Sequence, residues 1–414
     1  MSFEESQALR KLQRLSSTKG VQYCSVRPYL LFPTLMANLL VLYNPVCGAG
    51  NAKKAFDERV IPLLKQHGKV PDSIVETTHV GHAGEVVIEY LHTKPGPLTI
   101  VLGSGDGTLH EIVVALYNAT FDVAIEISVV LVPSGTANAL YWSLFPPQET
   151  SQAKSESPSR ALDAFLSQSP VFPRPLTFAV TTFPSATGTV TSVAVVVTSA
   201  ALHASILHDS EALRSTHPGI ERFKIAAQQN ITRWYDATVK LHPSPGSQSV
   251  EIYNPKAKRF EAWETEGEVE LVGPFAYFLS TVNVDRLESA FRITPLHSPG
   301  SSGTTLDVVI IRPRRDKTIV DAEDVSRQAF AQKTTEVLMA AYQDGAHVGV
   351  TYGEEGESVL EYFRCGGWEW LPTSGDAHAH LVCVDGEIIH VAPNSTAECT
   401  ATRKISNVQL SVVA

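Results

Sequence analysis

The chain is 414 residues long and carries 33 lysines and arginines against 43 aspartates and glutamates, a formal charge of −10. That acidic balance argues against nucleic acid as a main partner and supplies no long-range pull toward anionic membranes. No apolar run reaches the ~18 residues that cross a bilayer, no signal-peptide layout opens the chain, and five scattered cysteines (Cys24, Cys47, Cys365, Cys383, Cys399) show no zinc-ligand spacing. A soluble chain in a reducing, cytoplasmic setting is expected, with length enough for two domains.

Residues 1–20 are polar and read as helical or frayed, within an N-terminal extension over 1–37. The first strong element is Asn38–Asn51, NLLVLYNPVCGAGN, an apolar strand ending in Asn44-Pro45, Gly48 and Gly50, with a helix expected from Ala52 to His67. Residues 98–116, LTIVLGSGDGTLHEIVVAL, run an apolar strand into Gly103, Gly105 and Gly107, then a helical pattern. Glu126–Leu140, EISVVLVPSGTANAL, repeats the plan with the turn Pro133-Ser134-Gly135-Thr136-Ala137-Asn138. In a parallel sheet the carboxyl ends of such strands share one edge, where ligands bind. Glycine turns opening helices place bare N–H groups at that edge, which suits phosphate. Asp106 stands between two of the glycines, as a proton acceptor or metal contact, or more simply as a helix cap.

Gln148–Ser159 is a polar insert, residues 160–168 a short helix, and Pro170–Pro175 (PVFPRP) a stiff crossover. Beyond it the texture changes. Runs at 176–183 and 189–200 around the turn Pro184–Gly188 predict a hairpin, with further strands near 235–242, 268–273, 275–283, 305–311, 346–352 and 380–392 and one helix near 319–343. The expected fold is an α/β N-terminal domain with a parallel sheet over 38–169, then a mainly antiparallel β-sandwich over 170–414. Arg312, Arg314, Arg315 and Lys317 form a basic cluster, read as a solvated loop or a membrane or phosphate contact. Tyr141, Trp142, Leu144 and Phe145 read as helix packing or as a lipid contact.

NPVCGAGNAKKAF, SGDGTLHEIV and PSGTANAL, in this order and spacing, resemble the lipid kinase family of diacylglycerol, sphingosine and ceramide kinases. Ser104, where many members have glycine, makes the sphingosine kinase branch the nearest likeness. SEALRSTHPGIERF (Ser210–Phe223) and CVDGEIIHV (Cys383–Val391) extend it toward the C-terminus. The resemblance implies a phosphofructokinase-like nucleotide-binding domain and a β-rich lipid-binding domain, which together transfer the γ-phosphate of ATP, with Mg2+, to a lipid hydroxyl. It implies peripheral membrane contact and makes Asp106 the base. It places Asn44, Pro45, Val46, Thr77, Ser104, Gly105, Gly107, Thr108, Glu111, Gly135, Thr136 and Ala137 around the nucleotide. Arg214 and Arg222 would serve the phosphates, and Asp385, Gly386 and Glu387 would close over them. Asn44 reads equally as a turn cap, each arginine as a surface residue, and Asp385-Gly386-Glu387 as a plain β-turn.

Two departures stand out. Val46 replaces a basic residue common in that branch, and Ser205 and Leu207 stand where it carries acids. Ser205 and Asp209 are then the candidates for the lipid headgroup. A sphingoid base leads among acceptors, with diacylglycerol and ceramide behind it. The sequence names no magnesium ligands and no oligomeric state. Two readings compete: a kinase of soluble metabolites of the NAD kinase type, and a lipid-binding regulatory protein with an inactive site.

Overall fold

Strand and helix alternate through the first half as the apolar periodicity demands. The computed structural model describes residues 38–147, 159–167, 173–185, 188–217, 219–297, 304–353 and 356–414. The N-terminal extension with Cys24, nearly all of the polar insert and the start of the proline crossover lie outside the described residues.

β1 (Asn38–Tyr43) leads to α1, in which helical Ala52–Ala55 and Ile61–Gln66 flank a π-helical Phe56–Val60. Then come β2 (Ser73–Glu76), α2 (His82–Thr93), β3 (Leu98–Ser104), α3 (Asp106–Asn118), β4 (Ile125–Pro133) and α4 (Ala139–Leu144). A short α5 (Arg160–Leu166) starts on Ser159, whose hydroxyl accepts from the Ala161 and Leu162 amides. β1 to β4 pair in parallel in the order β2-β1-β3-β4. All of β3 and nearly all of β1 is buried, as sheets covered on both faces require. Each fully buried Leu or Val there stabilises the fold by about 1.5–3 kcal/mol. The chain leaves β1 toward β2 on one side and returns to β3 on the other, so a crevice opens at the carboxyl ends of β1 and β3.

Two strands from the 170–414 half, neither of them expected, join this sheet. β5 (Arg174–Pro175) pairs antiparallel with β20 (Val408–Val412), and β20 runs parallel to β4 with Val408 opposite Ile125.

The rest forms two antiparallel sheets. One has six strands: β6 (Phe178–Ser185), β7 (Gly188–Ala194), β9 (Ala237–His242), β12 (Val269–Val272), β16 (Gly367–Pro372) and β19 (Ala397–Thr402). The other has eight: β8 (Val197–Ala200), β10 (Glu251–Asn254), β11 (Arg259–Ala262), β13 (Tyr277–Thr281), β14 (Leu306–Ile311), β15 (Leu360–Cys365), β17 (Leu381–Val384) and β18 (Glu387–His390). Their facing sides meet where Phe278 packs at 5.2 and 5.3 Å against Trp368 and Trp370. Helices α6 (Ala201–Ala212) and α7 (Glu221–Asn230) follow β8, and α8 (Asp324–Ala341) occupies the expected 319–343 stretch.

Three expectations need correction. The run 189–200 is not one strand: it bends at Val195-Val196 from one sheet to the other, where the Asp385 carboxylate accepts the amides of Val195, Val196 and Val197 at 2.7, 3.0 and 2.7 Å. Residues 346–352 form no strand, because Gly345 with φ +80° starts a 3-10 turn, Ala346–Gly349, that buries His347 against the Ile293 carbonyl. Half of the basic cluster is solvated, Arg314 and Lys317 being exposed, and half is not. Arg312 makes two 2.8 Å bonds to buried Glu361, and Arg315 reaches the Ser358 carbonyl and Glu357.

Candidate active site

Three turns close over the crevice, laced by their backbones. The Asn44 amide donates to the Gly103 carbonyl at 2.9 Å, and the Ser134 amide to the Ser104 carbonyl at 3.2 Å. The Cys47 thiol lies 3.1 Å from the Asn44 carbonyl and 3.2 Å from that of Ser134. Gly48, at φ +54°, is obligatory: a Cβ there would stand 2.3 Å from the Ser134 oxygen. Gly103 is equally constrained, since a Cβ would fall 2.1 Å from the Phe56 ring that the π-helical turn lays over it.

The turn after β3 opens α3 at Gly105 with no side-chain cap, a helix start of the kind that accepts an anion. Gly107 is exposed and a Cβ on it would meet nothing within 4 Å. Ser104 and Thr108 are buried beneath, their hydroxyls 2.5 Å apart. This uncapped glycine cradle suits phosphate oxygens. Asn138, at φ 55°, clamps the third turn by accepting from the Gly135 amide at 2.9 Å and donating to its carbonyl at 2.8 Å. Gly135 lies directly against Gly105, and Thr136 and Ala137 follow it in the same turn.

Asp106 does not cap its own helix. Its carboxylate accepts the Ala139 and Leu140 amides at 2.7 and 3.1 Å, capping α4 instead. Burial raises its pKa above the ordinary 3.8, opposed by the amides of Ala139, Leu140 and Asp106 itself. A small cavity lined by Ser104, Gly105, Asp106, Asn138 and Tyr141 adjoins it. Glu111, one turn further along α3, plays a parallel part: burial raises its pKa against the pull of the Gly81 and Ala83 amides at the start of α2. Among the described residues no three acids or histidines converge here as ligands. A magnesium ion would be held mainly by the triphosphate, with a single carboxylate such as Asp106.

Asn44 caps its own turn by accepting the Val46 amide at 3.0 Å, with Pro45 between, while Val46 projects into solvent. Thr77 is buried at the end of β2, tied by its amide to the Tyr43 carbonyl. Tyr141 is buried, and Trp142, Leu144 and Phe145 pack against the core, which is the packing alternative.

Sequence reasoning missed His110, four residues after Asp106 on the same helix face. Its Nδ1 lies 3.0 Å from the Val193 carbonyl and 3.8 Å from Asp385, and its Nε2 lies 3.4 Å from Glu387. Glu387 also accepts the Ser192 hydroxyl at 2.7 Å. Asp385 and Gly386, at φ 48° and 101°, form the turn that aims both acids at α3. Burial pushes the Asp385 carboxyl up to about 6; His110 and the Val195 and Val197 amides oppose this, and the charge of Asp106 adds to it. The Asp-Gly-Glu turn thus stands over the helix that starts at Asp106.

Arg214 and Arg222 converge on Glu211, at 2.6 and 3.5 Å. Arg214 is 63% exposed, whereas the Arg222 side chain is 14% exposed and its Nε has no hydrogen-bond partner among the described residues. No described hydrogen bond or ion pair joins either arginine to the glycine turns. Ser205 is fully buried on α6, its hydroxyl without a hydrogen-bond partner, and the Asp209 carboxylate is held by Asn230, His208 and His378.

Comparison with known proteins agrees with this geometry. Residues 38–166 match the family model of the diacylglycerol kinase catalytic domain. Sphingoid long chain base kinase 5 of Saccharomyces cerevisiae is 33% identical over 119 residues, 27% of this chain and 17% of that protein. Sphingosine kinase 1 of Arabidopsis thaliana is 36% identical over 110 residues (26% and 22%), and Sphingosine kinase 1 of Rattus norvegicus is 36% identical over 107 (26% and 27%). The alignments thus span about a quarter or less of these relatives' lengths. A crystal structure of a Bacillus anthracis candidate diacylglycerol kinase superimposes with a TM-score of 0.52 at 14% identity, covering 90% of this chain and 96% of that one, a likeness of fold. The segment that carries all three glycine turns and Asp106, residues 38–166, is thus the part of the chain that matches the diacylglycerol kinase catalytic domain.

Proposed function

We propose that this protein is an ATP-dependent lipid kinase, transferring the γ-phosphoryl group to a lipid hydroxyl, with a sphingoid base as the leading acceptor. One observation carries the reading: an uncapped helix N-terminus behind Gly105, with Asp106 at its mouth, in a domain of the diacylglycerol kinase type. ATP with Mg2+ supplies the phosphoryl group and neutralises its charge. The backbone amides at the start of α3 hold the phosphates, and the Gly135-Thr136-Ala137 turn walls the nucleotide beside Gly105. Asp106 accepts the proton of the attacking hydroxyl. Its buried carboxylate, raised in pKa, suits a base better than a solvated one. Arg222 is assigned to phosphate because its guanidinium is shielded and incompletely paired. Arg214 is bonded to Glu211 and has the lesser role.

On the lipid side Ser205 is buried next to Tyr235, while the Asp209 carboxylate is already engaged. We assign the protein to the cytoplasm with peripheral membrane contact. No described helix is long and apolar enough to cross a membrane.

The test is transfer of label from radiolabelled ATP, with Mg2+, to micelles carrying sphingosine, ceramide or diacylglycerol, with NAD as a soluble control. Label in sphingosine that is lost in Asp106→Asn supports the proposal. Label in NAD alone, or in no acceptor while ATP still binds, overturns it.

A further inference from the structure

Away from the glycine turns, α6 meets the 3-10 turn Ala377–His380 through an unusual donor set. His208 Nδ1 is 2.8 Å from Asp209 Oδ1, and His378 Nε2 is 3.2 and 3.3 Å from the two Asp209 oxygens. The three ligand atoms all lie within 4.8 Å of one another. Two donors about 2.0–2.2 Å from one tetrahedral ion stand roughly 3.3–3.5 Å apart, so side-chain shifts on the order of an ångström let the three donors share one. Their rings agree: the His208 and His378 centroids are 5.8 Å apart at 80°, close to the roughly 5–6 Å that two imidazoles on one ion adopt. A third imidazole, His390 at the end of β18, lies 6.0 Å from His208, ring centre to ring centre. The carboxylate is also oriented from behind, because Asn230, buried on α7, donates to Asp209 Oδ2 at 2.7 Å. Such an outer hydrogen bond is what ligating carboxylates in metal sites have.

We propose that His208, Asp209 and His378 bind a divalent transition-metal ion of the zinc class, with the fourth position left to solvent. Two imidazoles and one carboxylate favour Zn2+ over Mg2+ or Ca2+, which take oxygen ligands. The ion pins α6 to the turn that precedes β17, two elements far apart in sequence. It is distinct from any magnesium bound with nucleotide, and it does not depend on the reaction proposed above.

The experiment titrates chelator-treated full-length protein with Zn2+ by calorimetry and with Co2+ by visible absorption. One equivalent should bind, with the intense bands of tetrahedral Co2+, and Zn2+ should raise the melting temperature by mass action. His208→Gln and His378→Gln should each weaken Zn2+ binding at least tenfold while melting like wild type in chelator. The stacked pair His79 and His82, with Glu85 nearby, is the competing surface site, so a His79→Gln/His82→Gln variant serves as control. That control should bind like wild type. Absence of stoichiometric binding, or binding that survives both His208→Gln and His378→Gln, overturns the proposal and leaves only histidine–aspartate pairs.

Discussion

Gly105 and Gly135 touch backbone to backbone: a Cβ on Gly135 would lie 2.4 Å from the Gly105 Cα. Gly107, two residues away, has open space where its Cβ would be. These positions therefore separate stability from ligand binding. Gly135→Ala forces the two turns apart and should cost about 1–3 kcal/mol, seen as a lowered melting temperature. Gly107→Ala should leave stability unchanged or slightly higher, since alanine is the better helix former by about 1 kcal/mol, yet weaken ATP binding by crowding the phosphates. Equal effects of the two variants on thermal unfolding would contradict the backbone-contact account.

Asp106→Asn has two consequences with different readouts. The amide can accept only one of the Ala139 and Leu140 amides and turns a donor toward the other, costing about 1–3 kcal/mol of stability. Loss of the base should lower turnover by ~10²–10⁴ while ATP binding persists. Thermal unfolding and steady-state kinetics on one preparation check both, and a variant with near-normal turnover removes Asp106 from the chemistry.

His110 predicts a pH dependence of stability. Burial pulls its pKa down, but the bond to Glu387 and the charges of Asp385 and Glu387 outweigh this, so the net shift is upward from 6.5. A histidine raised on folding stabilises fully below its unfolded value, and that stability is lost as pH rises through the folded value. Asp385, raised by burial from 3.8 to about 6, works in the same direction in the adjoining lower window. His110→Gln should flatten the decline in unfolding free energy above pH 6.5, measured by denaturant titration. An unchanged slope would mean that the His110–Glu387 pair contributes nothing.

Arg222 and Arg214 should differ as their exposure does. Losing a charge-assisted phosphate bond from the shielded Arg222 costs about 1.5–3 kcal/mol, so Arg222→Gln should weaken ATP binding roughly tenfold or more. Arg214→Gln should change it by about threefold or less, because that side chain is largely solvated. Calorimetric titration of ATP into both variants decides the assignment.

Arg312 should prove structural. Its partner Glu361 is 3% exposed, and Arg312→Gln leaves that carboxylate without its main counter-charge, a loss of about 3–5 kcal/mol. Vesicle binding by any variant that still folds should equal wild type, which a flotation assay tests.

How much of this was legible beforehand depended on distance along the chain. The strand–turn–helix repeats carry their signal locally, in β-branched strands followed within a few residues by glycine, and the parallel sheet followed from them. Val408–Val412 carries no such signal: Ser411 meets Ser128, 283 residues earlier, through a pairing that only the folded sheet specifies. The bend at Val195 was hidden for the same reason, since the carboxylate that holds it belongs to Asp385. The role of Asp106 at α4 depends on amides 33 and 34 residues away. His110 was within reach, because an imidazole four residues after the key acid shares its helix face.

Because β20 closes the exposed side of β4, the order of synthesis matters. When β1 to β4 have left the ribosome, β4 still presents an unpaired row of amides and carbonyls, the kind of edge that recruits other strands. It stays open until the whole sandwich has been translated. The phosphate cradle is thus written early in the polypeptide but secured late, and a nascent or C-terminally truncated chain would display an aggregation-prone edge where the finished protein has a complete sheet.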